Sequence, residues 1–265
     1  MFDCHMHSLF SADSEMIPDE ACEAALKQSL EGIAFTDHLD FDYPETDESF
    51  FIDYHEYFKV ITAIKDEYKG RLKVLRAIEA GIQPHVLDET LKIVDSFSFD
   101  YVLASVHIIG GIDPYLREYY KGKTKLDAYE RYLEEIYFMI TQFESFDMVG
   151  HFEYIIRYSQ YADRTIRYAD HSDIFDSILK ELIKQGRGFE LNTGTYRDPV
   201  SSAEYDFEVL KRYRELGGEL ICLGSDAHRI DHIGLRFDYF AQMIKDAGFT
   251  HTVHFENRKP IWDKL

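Results

Sequence analysis

Cysteine is scarce in this sequence, and its few residues are widely spaced. Only three cysteines occur, Cys4, Cys22 and Cys222, which is an odd number with unrelated spacings. Such a set predicts neither a disulfide framework nor a zinc knuckle of the CxxC kind. We therefore expect a protein that works in a reducing compartment, the cytoplasm.

Long apolar runs and an amino-terminal targeting signal are missing as well. No apolar stretch approaches the roughly 20 residues that a membrane-spanning helix needs. No basic segment followed by an apolar core opens the sequence. The sequence therefore predicts a soluble, unprocessed chain with no membrane partner.

Basic residues are in the minority. Lysine and arginine number 29 against 49 aspartate and glutamate residues, so the formal net charge is -20 at pH 7. The phosphates of a nucleic acid would meet a repelling field. We expect a small-molecule substrate and no nucleic-acid partner, while the sequence leaves the oligomeric state open.

Nucleotide-binding loops of the GxGxxG and GxxxxGK[ST] types are also missing, so an open nucleotide-binding sheet is not indicated. Short apolar runs instead alternate with longer amphipathic ones. The candidate strands cover residues 2–7, 32–36, 73–79, 101–107, 148–151, 188–192 and 219–224, with a weak last strand at 252–255. The candidate helices cover residues 19–28, 50–68, 86–96, 126–143, 174–185 and 206–216. This alternation predicts one α/β domain over residues 1–265, with a parallel sheet closed into a barrel.

The stretch DCHMHSLFSADS begins in the first candidate strand. Side chains alternate between the two faces of a strand, so His5 and His7 point to the same side. An isolated HxH is as easily a pair of buried, hydrogen-bonded histidines as a ligand pair. The residues at the ends of the other candidate strands distinguish between these two interpretations.

Five further candidate strands end in histidine or carboxylate residues. These residues are Asp37 and His38, Glu79, His107, His151, and Asp226 with His228. A polar residue at one strand end is ordinary capping chemistry, but such residues after so many strands predict a common site at the carboxyl end of a barrel. Histidine and carboxylate together are ligands for zinc, manganese or iron. The other six histidines fall on candidate helices, loops or the tail, and we assign them no metal.

The segments HMH, TDH, AIEAG, SVH, GH and SDAH together resemble the polymerase and histidinol phosphatase superfamily, over most of the chain. Within it, FSADS, TDHLDF, FDYVLASVH and GHFEYIIRY look most similar to the monofunctional histidinol-phosphate phosphatases of histidine biosynthesis. The resemblance implies a distorted (βα)7 barrel, similar to a TIM barrel. It also implies hydrolysis of L-histidinol phosphate to histidinol and phosphate.

The resemblance further implies three divalent metal ions, which could be zinc, manganese or iron. His5, His7, Glu79 and Asp226 would hold the first ion. Glu79, as a bridge, would hold the second with His107 and His151, and Asp13, His38 and His228 would hold the third. Some relatives carry histidine in place of Asp13, which could change the preference for the third metal.

The catalytic roles implied by the resemblance concern four more residues. A metal-activated hydroxide would attack phosphorus, and Asp37 or Asp40 would give a proton to the leaving alkoxide. Asp37 could equally orient a metal ligand from behind. Arg157 resembles an arginine that grips phosphate, although an exposed arginine in a surface ion pair is the plain alternative. Arg197 and Asp40 are further candidates for contact with the substrate.

Three other functions stay open at this stage. A related phosphoesterase could act on sugar phosphates, nucleotides or phosphotyrosine with the same metals. A metal-binding module without turnover, similar to the accessory domain of some polymerases, is less favoured because every ligand position is filled. A metal-dependent amidohydrolase also begins with HxH, but no strand-end lysine is present to bridge its metals. The native metal, the leaving alcohol and a role for residues 250–265 cannot be read from the sequence.

Overall fold

The computed structural model describes residues 1–44, 52–197 and 203–265. The strands are β1 Phe2–Met6, β2 Gly32–Phe35, β3 His38–Asp40, β4 Lys73–Gly81, β5 Tyr101–Ser105, β6 Met148–Val149, β7 Gly188–Asn192, β8 Ile221–Gly224, β9 His251–Glu256 and β10 Lys259–Lys264. The α-helices are α1 Pro18–Lys27, α2 Tyr54–Glu67, α3 Leu87–Ser96, α4 Lys125–Gln142, α5 Tyr154–Arg157, α6 Ser172–Gln185, α7 Phe207–Glu215 and α8 Phe237–Asp246. The first two residues of the helix predicted over 50–68 lie outside the described residues.

Seven parallel strands form one sheet in the order β1, β2, β4, β5, β6, β7, β8, and β3 pairs with the outer half of β4. The two end strands of this order meet through backbone hydrogen bonds beyond β8. Asp226 donates to the carbonyl of His5 at 2.7 Å, and His7 donates to the carbonyl of Ala227 at 2.8 Å. The sheet is therefore nearly closed, and the predicted distorted (βα)7 barrel is confirmed.

Burial of both faces explains why the sequences of the strands are short, continuous apolar runs. Strands of a parallel barrel face packed side chains on both sides, and every residue of β5 and β7 is buried. The helices bury one face only: in α6 the buried residues are Phe175, Ile178, Leu179 and Leu182, at helical spacing. None of the described helices has the length and apolar character needed to cross a membrane.

A hairpin of β9 and β10 lies outside the barrel sheet. It contacts residues at the amino ends of the barrel strands: His254 stacks on Phe2 at 3.7 Å, and Phe255 stacks on Tyr101 at 5.4 Å between ring centroids. The strand predicted over 252–255 therefore exists, as part of this hairpin. The carboxyl ends of the strands, at the other end of the barrel, stay open for a site.

The sequence did not predict β3, α5, α8 or β10. Strand β3 has three residues and α5 has four, which is too short for hydrophobic periodicity to register. Helix α8 does carry apolar residues at helical spacing, Phe237, Phe240, Ala241 and Ile244, so the sequence contains a signal for it. Strand β10 is almost entirely exposed, so its sequence lacks the apolar run that marks a barrel strand.

Candidate metal centre

The polar strand ends converge in one cavity of about 340 Å³ at the carboxyl end of the barrel. The cavity is lined by Asp13, His38, Asp40, Tyr43, Glu79, His107, Asp113, Tyr115, His151, Tyr154, Arg157, Tyr158, Arg197, Asp226 and His228. His5 and His7 lie beneath this lining and are fully buried. The structure thus brings together all nine residues that the sequence predicted as metal ligands.

Glu79 lies at the centre of this cluster. Its Oε2 atom is 3.2 Å from His5 Nε2, 3.4 Å from His7 Nε2 and 3.2 Å from His38 Nδ1. Its Oε1 atom is 3.2 Å from His107 Nε2 and 3.0 Å from His151 Nε2. The two oxygens of one carboxylate therefore face two different groups of imidazoles, which is the geometry expected of a bridging ligand.

The first group consists of His5, His7, Glu79 and Asp226. The Nε2 atoms of the two histidines are 3.1 Å apart, and Asp226 Oδ1 lies 3.6 Å from His5 Nε2 and 3.3 Å from His7 Nε2. Asp226 has a φ of 52° and is held there by its hydrogen bond to the carbonyl of His5. This left-handed conformation turns the chain directly after β8 and is rare outside glycine, asparagine and aspartate.

A third group lies nearer to the cavity mouth. His228 Nε2 is 3.0 Å and His38 Nε2 is 3.6 Å from Asp13 Oδ2. The ring of His7 stacks between His38 at 4.2 Å and His228 at 4.1 Å, and the nitrogens of these three histidines also form a set compact enough for one ion. His7 therefore lies between the first and third groups, a position that the sequence did not indicate.

Hydrogen bonds behind the histidines fix which ring nitrogen carries the proton. His5 Nδ1 is 2.8 Å from Glu190 Oε1, and His107 Nδ1 is 2.8 Å from Asp40 Oδ1. His228 Nδ1 is 3.0 Å from the backbone oxygen of Asp226. Because these partners are acceptors, each Nδ1 donates, and Nε2 is the ring nitrogen directed to the cavity, where its lone pair is available to a metal ion once no second proton occupies it.

His7 follows the same rule through a hydroxyl. Its Nδ1 is 3.1 Å from Ser11 Oγ, and Ser11 Oγ donates at 2.8 Å to Asp37 Oδ1. Since the hydroxyl proton is used for Asp37, Ser11 accepts from His7, and the Nε2 lone pair of His7 faces that of His5. Lone pairs that face one another or a carboxylate at such distances need a cation between them. The donor set therefore fits divalent metal ions of the zinc, manganese and iron class.

The electrostatics of the cluster are strongly coupled. Burial opposes ionisation of Glu79, but the imidazoles of His5 and His107 hold the pKa of this carboxyl well below its usual range. Burial, together with the neighbouring His228 and His38, holds the pKa of His7 well below its ordinary value. Despite burial, Glu190 and Glu79 raise the pKa of His5 well above its ordinary value, and Asp13 and Asp40 do the same for His38, so bound metal ions would displace protons that these rings hold in the metal-free centre.

Asp37 and Asp40 occupy positions behind the ligands. Asp37 accepts hydrogen bonds from the backbone and hydroxyl groups of both Ser8 and Ser11, and it is absent from the cavity lining. Asp40 orients His107, and despite burial the neighbouring His107 lowers the pKa of Asp40 to about 2. Asp37 does not reach the cavity, and Asp40, with its low pKa, has no proton to give near neutral pH. The geometry therefore suits an orienting role for both carboxyl groups better than proton donation.

Arg157 and Arg197 both line the cavity beside the first group. Arg157 Nε donates to Thr195 Oγ1 at 2.9 Å, and its Nη2 donates to Asn192 Oδ1 at 3.0 Å and to Asp226. Arg197 Nη2 donates to the backbone oxygens of Ser225 and Asp226. Arg157 is thus held in place by the cluster itself and is not the exposed surface arginine of the plain alternative.

Sequence reasoning missed Glu190, Ser11 and Asn192. Glu190 lies in the middle of β7 and is fully buried, so an acidic residue inside an apolar candidate strand was an available signal. Ser11 lies in the loop after β1, and Asn192 is the last residue of β7. Nothing in the sequence distinguishes these two polar residues from ordinary capping residues.

Comparisons with known proteins show which family the chain is similar to. Residues 3–194 match the PHP domain family. A histidinol-phosphatase of Lactococcus lactis subsp. lactis is 36% identical over 258 residues, which cover 97% of this chain and 95% of the relative. A probable histidinol-phosphatase of Clostridium acetobutylicum is also 36% identical, with 97% of this chain and 98% of the relative covered.

Two solved structures share the fold. The crystal structure of histidinol phosphate phosphatase from Lactococcus lactis, complexed with zinc, L-histidinol and phosphate, has a TM-score of 0.92 at 35% identity and covers 98% of each chain. The crystal structure of a putative histidinol phosphatase from Listeria monocytogenes has a TM-score of 0.79 at 18% identity, covering 91% of this chain and all of the other. The second likeness shows the fold alone.

Proposed function

The chain belongs to the PHP domain family, and on that premise we propose that it is a metal-dependent phosphatase that hydrolyses L-histidinol phosphate to L-histidinol and phosphate. One observation carries the proposal: five imidazoles lie within 3.4 Å of the oxygens of Glu79, in a cavity that also holds two arginines. Support also comes from the full-length relatives at 36% identity, both described as histidinol-phosphatases.

We assign three divalent ions to the three groups of the candidate centre. His5, His7, Glu79 and Asp226 would hold the first ion, Glu79 with His107 and His151 the second, and Asp13 with His38 and His228 the third. When bound, such ions supply positive charge that offsets the anionic phosphoryl group and makes water a better nucleophile near neutral pH.

The arginines would position the phosphate. The hydrogen bonds of Arg157 among the described residues use Nε and Nη2, so Nη1 is left to meet a phosphate oxygen in the cavity. Its bond to Asp226 fixes the guanidinium relative to the first group. Arg197, anchored by backbone carbonyls, would add a second positive charge on the same side.

The remaining polar residues would keep the donor set in order. Asp40 holds His107 with its Nε2 lone pair toward the centre, and Glu190 does the same for His5. Asp37 holds Ser11, which in turn holds His7. We therefore assign Asp37 and Asp40 to the positioning of ligands. We propose that a solvent molecule donates the proton to the leaving alkoxide.

The wider setting follows from charge and cysteine content. We propose a single domain that acts on a small phosphate monoester in a reducing cytoplasm, without a nucleic-acid partner, because the formal net charge is -20 and the three cysteines are free and buried. Zinc, manganese and iron(II) all suit the imidazole and carboxylate donor set.

The first experiment measures phosphate release by the metal-stripped protein reloaded with zinc, manganese or iron(II). The substrates are L-histidinol phosphate, glycerol phosphate, a nucleoside monophosphate and O-phosphotyrosine. We expect kcat/KM for L-histidinol phosphate to exceed the others by about 10³-fold.

Two results would contradict the proposal in different ways. Weak release from all four substrates would keep a metal phosphatase and remove the named substrate. No release with any of the metals would indicate a metal-binding module without turnover.

A further inference from the structure

The cavity contains a buried carboxylate, Asp113, that has no part in the proposed metal centre. It follows β5 and His107 along the chain and precedes a short 3-10 turn, Pro114–Leu116, where it accepts a hydrogen bond from the backbone of Tyr115 at 2.7 Å. Asp113 is 1% exposed and still lines the cavity. A buried acidic group at this place requires an explanation, because burial of an uncompensated charge is costly.

Among the residues that the structure describes, the hydrogen-bond partners of Asp113 are all neutral. Tyr43 donates its hydroxyl to Asp113 Oδ2, and Tyr154 donates its hydroxyl to Asp113 Oδ1 at 2.8 Å. No ion pair of the described residues includes Asp113, and residues 45–51 and 198–202 contain no lysine, arginine or histidine. The other carboxylates of the cavity lining, by contrast, each face an imidazole or a guanidinium. These are Asp13, Asp40, Glu79 and Asp226.

Asp113, Tyr43 and Tyr154 form one wall of the cavity, the acceptor wall, whose side chains can accept hydrogen bonds from a ligand. A hydroxyl that donates to a carboxylate has no proton left to donate to a ligand and can only accept, and both tyrosines line the cavity. Burial and the bond to Asp113 raise the pKa of Tyr43 and of Tyr154, so both hydroxyls keep their protons and continue to donate. Three bonds also leave one of the about four acceptor positions of the Asp113 carboxylate unused. The wall therefore offers acceptors only.

The acceptor wall lies one aromatic ring away from the metal centre. The ring of Tyr154 stacks on His151 at 5.1 Å and meets His107 edge-on at 5.3 Å. The guanidinium of Arg157 lies 5.5 Å from the centroid of the same ring. A phosphate held by Arg157 and the centre would therefore place the alcohol part of the ester along Tyr154, toward Asp113.

We propose that Asp113, with Tyr43 and Tyr154, forms the subsite that selects a positively charged group, an ammonium or imidazolium, on the alcohol part of the substrate. A cation brings only donors, which match an acceptor-only wall, and its charge compensates the buried carboxylate. A neutral alcohol would leave Asp113 uncompensated. This inference rests on the proposed function, for which it names the residues that read the leaving alcohol.

The test compares Asp113→Asn with the unaltered protein, both loaded with metal, on three esters. L-Histidinol phosphate and O-phosphoethanolamine carry a cation, while glycerol phosphate has a neutral alcohol. We expect Asp113→Asn to lower kcat/KM for both cationic esters by about 10²-fold, mainly through KM, and to leave glycerol phosphate within about 3-fold. Asp113→Glu, which keeps the charge, should retain most of the preference for cationic esters.

Asp88→Asn is the matched control, because it removes one negative charge from the exposed start of α3 outside the cavity lining. It should leave all three rates unchanged. An equal loss on all three esters in Asp113→Asn would show a structural role and overturn the inference, as would no loss on any.

The proposed function and this inference fail in different ways. If the unaltered protein prefers phosphoethanolamine over glycerol phosphate but does not hydrolyse L-histidinol phosphate, the named substrate is wrong and the subsite stands. If Asp113→Asn does not fold, the inference is tested on the unaltered protein. A ratio of kcat/KM for phosphoethanolamine to kcat/KM for glycerol phosphate below about 10 then overturns the subsite.

Discussion

Glu79 shows how one residue can order a whole site. It lies two residues before the end of the long strand β4, receives a hydrogen bond from Ser105 at 2.7 Å, and faces imidazoles with both oxygens. The sequence marks this position only as a carboxylate closing an apolar strand. Its central place follows from β4 lying between β2 and β5 in the barrel, with β3 beside its outer half.

Glu79→Gln should therefore damage two metal groups at once. The amide keeps the volume but has one oxygen and no charge, so we expect loss of at least one equivalent of bound metal and a fall of about 10³-fold in kcat. Metal analysis and phosphate release measure both effects. Glu89→Gln on the exposed surface of α3 is the control. Normal metal content with normal turnover in Glu79→Gln would contradict the proposed bridge.

Glu153 is a second residue of interest, because burial controls the protonation of its carboxyl group. It is 3% exposed, and its Oε2 atom accepts no hydrogen bond from any residue that the structure describes. Burial raises the pKa of this carboxyl from 4.5 to about 8. The folded protein therefore holds a proton there at pH values where the unfolded chain has lost it.

This shift predicts a pH dependence of stability. Since the folded-state pKa lies above the unfolded one, the contribution of Glu153 is fully present below about pH 4.5 and is lost as the pH rises to about 8. Glu153→Gln cannot ionise, so we expect it to equal the parent at pH 5 and to exceed it at pH 9 by several kcal/mol, on the order of 4. Urea unfolding of the metal-free protein measures this difference.

Glu144→Gln, an exposed substitution of the same kind, should follow the parent at every pH. A constant difference between Glu153→Gln and the parent from pH 5 to pH 9 would show that this carboxyl does not titrate with folding.

At the scale of elements, the strands divide the molecule into a reactive end and a structural end. Loops after the carboxyl ends of β1, β5, β6 and β8 carry His7, His107, His151 and Asp226, while the β9 and β10 hairpin covers the amino ends. Strand ends with histidine and carboxylate were visible in the sequence. The hairpin's place was not, because its contacts join residues about 150 to 250 positions apart.

Phe255→Ala tests the structural end. Phe255 is 4% exposed and packs on Tyr101, so its truncation leaves a cavity and should lower the free energy of unfolding by about 3–5 kcal/mol. Trp262→Ala, on the neighbouring strand and 47% exposed, should cost less than about 1 kcal/mol. Denaturant unfolding gives both values. Turnover below the unfolding transition should be unchanged in both variants, and a selective loss of turnover in Phe255→Ala would show coupling between the two ends.

At the scale of the whole molecule, the residues that close the barrel include proposed metal ligands. The hydrogen bonds that join β1 to the segment after β8 involve His5, His7 and Asp226 themselves. In the proposed centre, metal binding and barrel closure would therefore use the same residues. Ions that bind only the folded chain stabilise it by mass action.

Removal of metal should thus lower the thermal stability of the entire protein. With a chelator in excess, we expect the melting temperature to fall by at least about 5 °C, and zinc or manganese added back should restore it. Magnesium is the control, because it prefers oxygen ligands in a regular octahedron and does not match an imidazole-rich set. A melting temperature that the chelator leaves unchanged would argue against metal ions in this cavity.

The sequence by itself determined the alternation of strands and helices and the barrel they form, because hydrophobic periodicity is local. It also marked polar residues in or just after the carboxyl-terminal parts of the strands, such as His7, Glu79 and Asp226, because their chemistry contrasts with the neighbouring apolar runs. Tertiary structure alone decided which nitrogen each histidine presents, through Glu190, Asp40 and Ser11, and which oxygen of Glu79 faces which group. It also decided that Asp113 lines the cavity without a cationic partner among the described residues. Those facts depend on distances between residues far apart in the chain, and no local pattern encodes them.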